Sequence, residues 1–480
     1  MFHRPRVLPF VLSVLTVLFS LTTTAALAQT FKAGAATSNI TPPLGMDIIG
    51  GFNPSPSTHV HDELHARCLV LDDGKTKLAF AVCDLVGIHN LVCEKARELI
   101  AERSKIPTSH ILISATHTHS ASSALGRDRF RHEQTLDEYQ TFVARRIADG
   151  VACAINNLRP AQIAFGTAEA PEHLFNRRWF MKPGSMPQNP FGTADDLVKM
   201  NPGAGNANLV EPAGPTDPTI SFLALREPNG RPISLFAAYS LHYVGGVGNG
   251  HISADYFAMF ASHLAKLLDA EKQEPPFVGI MANGTSGDVN NINFRQPRPR
   301  QQPYEQMRYV AEDVAAKVHA ALGKVQYKDH VTLDALFREP VIGFRHPTAE
   351  QVAWAEKTIA AGRKPGADLP FSYAERALRM KEYPETTKIP VQVIRIGDVC
   401  IGTMPVEVFT EIGLEFKQKC PQQSAFMVEL ANGSFGYLPS PRQHKLGGYE
   451  TWLGTSRLEP EASDKLLAEL LSMAAELKVK

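Results

Sequence analysis

ILISATHTHS, residues 111–120, is an apolar run that breaks into a polar cluster with two histidines. Its first half reads as a short, buried strand rich in β-branched residues. Upstream, residues 91–103 have helical periodicity. Before them, RCLVLD (67–72) and LAFAVC (78–83) flank the turn Asp72-Asp73-Gly74 and predict a hairpin. Downstream, residues 137–157 predict a helix with Tyr139, Phe142, Val143, Ile147 and Val151 on one side. Strand patterns return at QIAFGTAE, ISFLALRE and PISLFAAYSLH. A helix over 256–270 and a strand over 277–281 follow. Helices are expected near 304–322, 348–362 and 370–381. The strands IPVQVIRIG and VCIGTMP flank Gly397-Asp398, a helix starts at Pro405, the strand AFMVEL follows, and an amphipathic helix covers 464–478. This alternation predicts an α/β protein, with mixed β-sheets flanked by helices. No internal repeat is visible. Residues 175–218 and 283–303 are rich in Pro, Gly and Asn, and long irregular loops of this kind tend to be functional.

The composition narrows the function. The chain has 480 residues, 49 Lys+Arg against 49 Asp+Glu, and 44% hydrophobic residues. That excludes a disordered chain and a nucleic-acid binder relying on bulk positive charge. The first residues carry Arg4 and Arg6, an apolar run of roughly fifteen residues, and Ala26-Leu27-Ala28. This is the plan of a signal peptide over 1–28, and it predicts an exported protein, periplasmic or secreted. Loss of Arg4 and Arg6 gives 47 − 49 = −2 for the mature chain. Six cysteines without a C-x-x-C pair exclude a disulfide scaffold and leave room for one or two bridges. Cys83 and Cys153 read as buried small hydrophobes.

Several clusters could carry chemistry. Residues i and i+2 of an extended chain share a face, so His117 and His119 would project together from a strand end. Neutral imidazole is a common zinc ligand. His242 ends another apolar strand. Asn283-Gly284-Thr285-Ser286-Gly287-Asp288 could aim backbone N–H groups at an oxyanion or form an ordinary Gly-rich turn. Glu407, in the first turn of the helix expected from Pro405, is accounted for by the helix dipole alone. Tyr437 and Tyr449 lie twelve residues apart in a loop-rich stretch.

In order, these motifs resemble the catalytic domain of neutral/alkaline, non-lysosomal ceramidases. ISATHTHS is similar to the family's ISGTHTHSG, and ITPPLGMDIIGGF to its N-terminal segment. FNRR, SLFAAYSLH, NGTSGDVNN and MPVEVFTE resemble its next segments. LANGSFGYLPSPRQHKLGGYE keeps the family's spacing between two tyrosines. The resemblance covers most of residues 29–480 and implies one catalytic domain there.

It implies a zinc ion held by His117, His242, Glu407 and Tyr437. His119 would sit behind the ligands or move protons, and Arg177 and Tyr449 would hold or polarise the substrate amide. The implied reaction is hydrolysis of the N-acyl bond of ceramide or a ceramide-like lipid, by a water that the metal activates. Brief contact with a membrane surface would accompany it. Two departures bear on the substrate. Asn290 stands where the family has a serine; it can donate to an oxyanion but cannot be a nucleophile. The family's C-terminal immunoglobulin-like domain is also expected to be missing. A smaller N-acyl or ester substrate, and an inactive ligand-binding relative, are the competing readings. Amidohydrolase barrels also place H-x-H at a strand end, but on their first strand.

Overall fold

The computed structural model describes residues 1–3, 5, 30–51, 54–126, 128, 130, 135–366 and 368–479. The apolar run and the Ala28 cleavage site of the expected signal peptide lie outside the described residues. Three units with the same strand order follow one another along the chain. The first has β1 (Lys32–Asn39), β2 (His65–Asp72), β3 (Lys77–Cys83), α1 (Asn90–Ser104), β4 (Ile111–Ala115) and α2 (Glu138–Asn156). The second has β5 (Gln162–Glu169), β6 (Thr219–Arg226), β7 (Pro232–Tyr239), α3 (Asp255–Leu267), β8 (Val278–Asn283) and α4 (Glu305–Leu322). The third has β9 (Leu333–Arg338), α5 (Ala349–Ala360), α6 (Leu369–Lys381), β10 (Val391–Ile396), β11 (Val399–Thr403), α7 (Thr410–Lys419), β12 (Ser424–Val428) and α8 (Ala462–Val479).

The sheet orders are β4-β3-β2-β1, β8-β7-β6-β5 and β12-β11-β10-β9, and Arg159–Pro160 adds a short strand beside β1. In each sheet the first three strands pair antiparallel. The fourth joins parallel, through the crossover helix α1, α3 or α7. A repeat of topology is therefore present where the sequence shows none. Its units keep only the order of elements and their buried faces, which many different sequences satisfy.

Strand periodicity explains the packing. Leu69, Phe80 and Leu112, Leu223, Phe236 and Ile280, and Ile394, Ile401 and Phe426 point from the three sheets into one shared core. Their sequence neighbours face outward. Val70, Ala81 and Ile113 meet Val92 of α1 and Val143 and Ile147 of α2. Phe222, Tyr239 and Met281 meet Phe260 of α3 and Val310 of α4. Val393, Cys400 and Met427 meet Phe416 of α7 and Leu470 of α8. Each large apolar side chain buried this way contributes about 1.5–3 kcal/mol over exposure. Strand ends around a core of this kind are fixed well enough to hold side chains in one geometry.

Some expectations change. Phe142 is 39% exposed on α2, whose buried stripe is Tyr139, Val143, Ile147 and Val151. Cys83 is buried but Cys153 is exposed, and all six cysteines are free thiols. The stretch from 175 is less irregular than its composition suggests: Arg178–Met181, Val198–Met200 and Leu209–Pro212 form a three-stranded sheet. No helix of the described residues is long and apolar enough to cross a membrane.

Asp84, fully buried just after β3, accepts from the His65 N–H at 3.0 Å and from Arg67 Nη2 at 3.4 Å. Burial outweighs the Arg67 charge and pushes its carboxyl from 3.8 up to about 6. The folded chain thus keeps a proton that the unfolded chain has lost between those values, so stability falls as pH rises through that window. At about 1.36 kcal/mol per pH unit the swing is roughly 3 kcal/mol. Asp84→Asn, which keeps an acceptor without the titration, should gain stability on the wild type between pH 4 and pH 7. Stabilities from urea titration that change alike with pH in both proteins across that range would reject this.

Candidate active site

The carboxyl ends of the parallel strand pairs meet at one place, where open α/β sheets hold their ligands. His117 follows β4, His242 follows β7, and Glu407 follows β11. His117 does not reach the site by an extended chain: β4 ends at Ala115, and His117 has φ 67°. Its ring nevertheless lies edge-on to His119, centroids 4.6 Å apart, and edge-on to His242 at 4.5 Å. The His117–His119 convergence expected from the H-x-H spacing is present, but a left-handed turn produces it. Gly50 permits the packing behind it, since a Cβ there would lie 2.0 Å from the His119 carbonyl oxygen. His119 stacks flat on Tyr243 at 3.8 Å and brings its Nε2 to 3.0 Å from His117 Nε2.

Backbone carbonyls orient the other two imidazoles. His117 Nδ1 lies 2.6 Å from the Val86 carbonyl oxygen, and His242 Nδ1 lies 3.0 Å from that of Ser286. A carbonyl only accepts, so both rings carry the Nδ1 proton. Both Nε2 atoms then face Glu407 Oε2, at 3.3 Å from His117 and 3.7 Å from His242. His242 Nε2 and Glu407 Oε2 are buried and have no hydrogen-bond partner. Burial, followed by the Arg177 charge, holds the His242 imidazole well below its usual range, so it is neutral. Burial alone would raise the Glu407 carboxyl. His117, the Tyr437 hydroxyl and the Arg177 charge outweigh it and leave the carboxyl below its ordinary value. A carboxylate oxygen facing an imidazole lone pair, neither atom hydrogen-bonded, is a donor set for a cation. The ligand atoms of His117, His119 and His242 also lie within 4.8 Å of one another.

Glu407 corrects the expectation of a helix from Pro405. Glu407–Val408 is a two-residue strand beside Tyr437–Leu438, and α7 begins only at Thr410. The Glu407 N–H goes to the Gly436 carbonyl at 2.9 Å. A helix dipole therefore does not explain this carboxylate. The parallel pairing sets Glu407 directly against Tyr437. Arg177 Nη2 donates to the Tyr437 hydroxyl at 3.0 Å and to the Gly287 carbonyl at 2.9 Å. Burial pushes that hydroxyl well above its usual range, with Arg177 pulling the other way. Tyr449 packs edge-on to Tyr437 at 5.8 Å.

Asn290 pairs with Phe175 in a short antiparallel ladder, next to the Arg177 segment. Its amide donates to Asn201 Oδ1 at 3.2 Å, and its own Oδ1 is buried without a partner. The Gly-rich loop is not an anion nest. The N–H groups of Gly284, Thr285, Ser286 and Gly287 go to Tyr239, Ser240, Glu429 and Val408. The Trp179 indole N–H donates to the Asn176 carbonyl at 2.9 Å, and its ring packs edge-on against Phe294.

Sequence reading gave no role to Glu450, Arg178 or Glu429. Glu450, fully buried, takes Arg177 Nε on Oε1 at 2.9 Å and Arg178 Nη1 on Oε2 at 2.7 Å. The adjacent arginines of FNRR and the acid of GGYE were the available signal, because a buried guanidinium requires a buried partner.

Imidazole nitrogens and a carboxylate oxygen thus converge at the strand ends. The sequence profile described as "Neutral/alkaline non-lysosomal ceramidase, N-terminal" matches residues 31–312, more than half of the chain. The chain belongs to this family of hydrolases. Among solved structures it is similar to "Ceramidase complexed with C2", with a TM-score of 0.69 and 16% identity over 94% of this chain and 75% of that one. It is also similar to neutral ceramidase from Pseudomonas aeruginosa, with a TM-score of 0.67 and 17% identity over 94% and 74% of the two chains. At these identities the likeness is one of fold. No curated protein matches the chain.

Proposed function

We propose that the protein is an exported zinc-dependent hydrolase of the N-acyl bond of ceramide or a ceramide-like lipid. The observation that carries this reading is the unpartnered pair His242 Nε2 and Glu407 Oε2, flanked by His117. His117, His242, Glu407 and Tyr437 would hold the metal; the donors are nitrogen and oxygen, which suits zinc. Bound zinc supplies a water whose pKa falls to about 7 and a Lewis acid for the scissile carbonyl.

The chain's own residues do the rest. Val86 and Ser286 fix the tautomers of His117 and His242. Arg177 holds Tyr437 by its hydroxyl and presents positive charge to a carbonyl oxygen gaining negative charge. His119 is the base that takes a proton from the attacking water and returns it to the leaving amine. Tyr449 orients the amide, and the amide hydrogen that Asn290 does not give to Asn201 is its contribution to an oxyanion. The export signal supports a site of action outside the cytoplasm, with brief contact at a membrane surface where such lipids reside.

The test is metal analysis together with turnover of a short-chain N-acyl sphingosine. One zinc per chain and chelator-sensitive hydrolysis are expected. Protein that holds zinc but cleaves only small N-acyl or ester compounds would move the substrate. Protein that holds zinc and cleaves neither would be a binding relative.

A further inference from the structure

Glu429 follows β12 directly and is fully buried. It joins the supports of two candidate metal ligands. Its Oε2 accepts the Val408 N–H at 2.6 Å, beside Glu407, and the Ser286 N–H at 3.2 Å. Its Oε1 lies 2.5 Å from Ser286 Oγ. Ser286 in turn offers its carbonyl oxygen at 3.0 Å and its hydroxyl at 3.1 Å to His242 Nδ1. The same two segments are tied a second time by the Gly287 N–H on the Val408 carbonyl at 2.8 Å. A Cβ on Gly287 would lie 2.6 Å from the Glu407 carbonyl oxygen, so the loop must be glycine to approach this closely.

We infer that Glu429 is a positioning residue for the metal centre: through Ser286 it aims the His242 ring, and through Val408 it sets the strand that carries Glu407. One carboxylate thereby fixes the relative placement of two ligands from different units of the fold. Groups behind a metal's ligands hold them in place and typically contribute about 10–100-fold in affinity or activity. This inference rests on the proposed zinc site.

The probe is Zn²⁺ alone, titrated into metal-free protein against a competing chelator. Glu429→Ala should weaken zinc binding by about 10–100-fold, and Glu429→Gln should restore most of it, since its oxygen can take the Val408 N–H and its amide can reach Ser286 Oγ. Ser286→Ala keeps the carbonyl on His242 and should lose less, about tenfold, the lower end of that range. A folded Glu429→Ala variant with wild-type zinc affinity overturns the inference. So does a folded Glu429→Gln that loses as much as the alanine variant, because then charge and not hydrogen bonding is at work. If Glu429→Ala does not fold, Ser286→Ala decides, and unchanged affinity there overturns it as well. Wild-type protein that binds no zinc would defeat the proposed metal site instead, a result visible before any variant is made.

Discussion

His117→Ala is expected to give a folded protein that no longer takes up the proposed zinc and no longer turns over its substrate. The side chain is nearly buried, its Nδ1 engaged by Val86 and its Nε2 3.3 Å from Glu407. Truncation removes one donor of a closely spaced set and leaves the three sheet cores untouched. Loss of a Lewis acid worth several kcal/mol predicts a fall in kcat/KM of about a thousandfold or more. Zinc content should fall with it, while the far-ultraviolet circular dichroism stays that of the wild type. A variant that keeps stoichiometric zinc and wild-type turnover would remove His117 from the centre.

Glu450→Ala should produce the largest loss of stability of any single change near the site. Its carboxylate sits between Arg177 and Arg178, whose side chains are 4% and 0% exposed. Removing one partner from a buried ion pair costs about 3–5 kcal/mol, because the charges left behind have no water to turn to. Arg178 keeps the Gln443 side chain and the Gly447 carbonyl, which limits its loss. Arg177 keeps Gly287 and Tyr437, but their geometry is no longer fixed from the far side. Urea titration of the metal-free proteins is the measurement. A penalty below about 1 kcal/mol, the worth of an exposed pair, would show that water reaches these guanidinium groups.

What the sequence disclosed was local. The ILISA strand, the hairpin before it and the helix after it follow from periodicity and turn chemistry within short windows. His117 and His119 announced themselves because two imidazoles in three residues have few uses. Glu407 did not: a proline two residues ahead suggested a helix start, and the pairing that overrides it comes from Tyr437, thirty residues later. The carbonyls of Val86 and Ser286 carry no side-chain signal at all. The identity of Glu429 as a support depends on a contact spanning 143 residues, and no local pattern encodes such a contact. The triple repeat escaped for a different reason, since its units share the order of their strands and not their residues.

That triple repeat governs when the centre can come into being. Each unit delivers one of the converging ligands: His117 from the first, His242 from the second and Glu407 from the third. During synthesis the early units emerge long before the late one. They hold His117 and His242 but not Glu407 or Tyr437, and so carry only part of the proposed ligand set. The full ligand set proposed for zinc would therefore be assembled only after the third unit has docked. A metal bound there ties all three units to one another, and its release on chelation measures the opening of the whole assembly rather than of one loop.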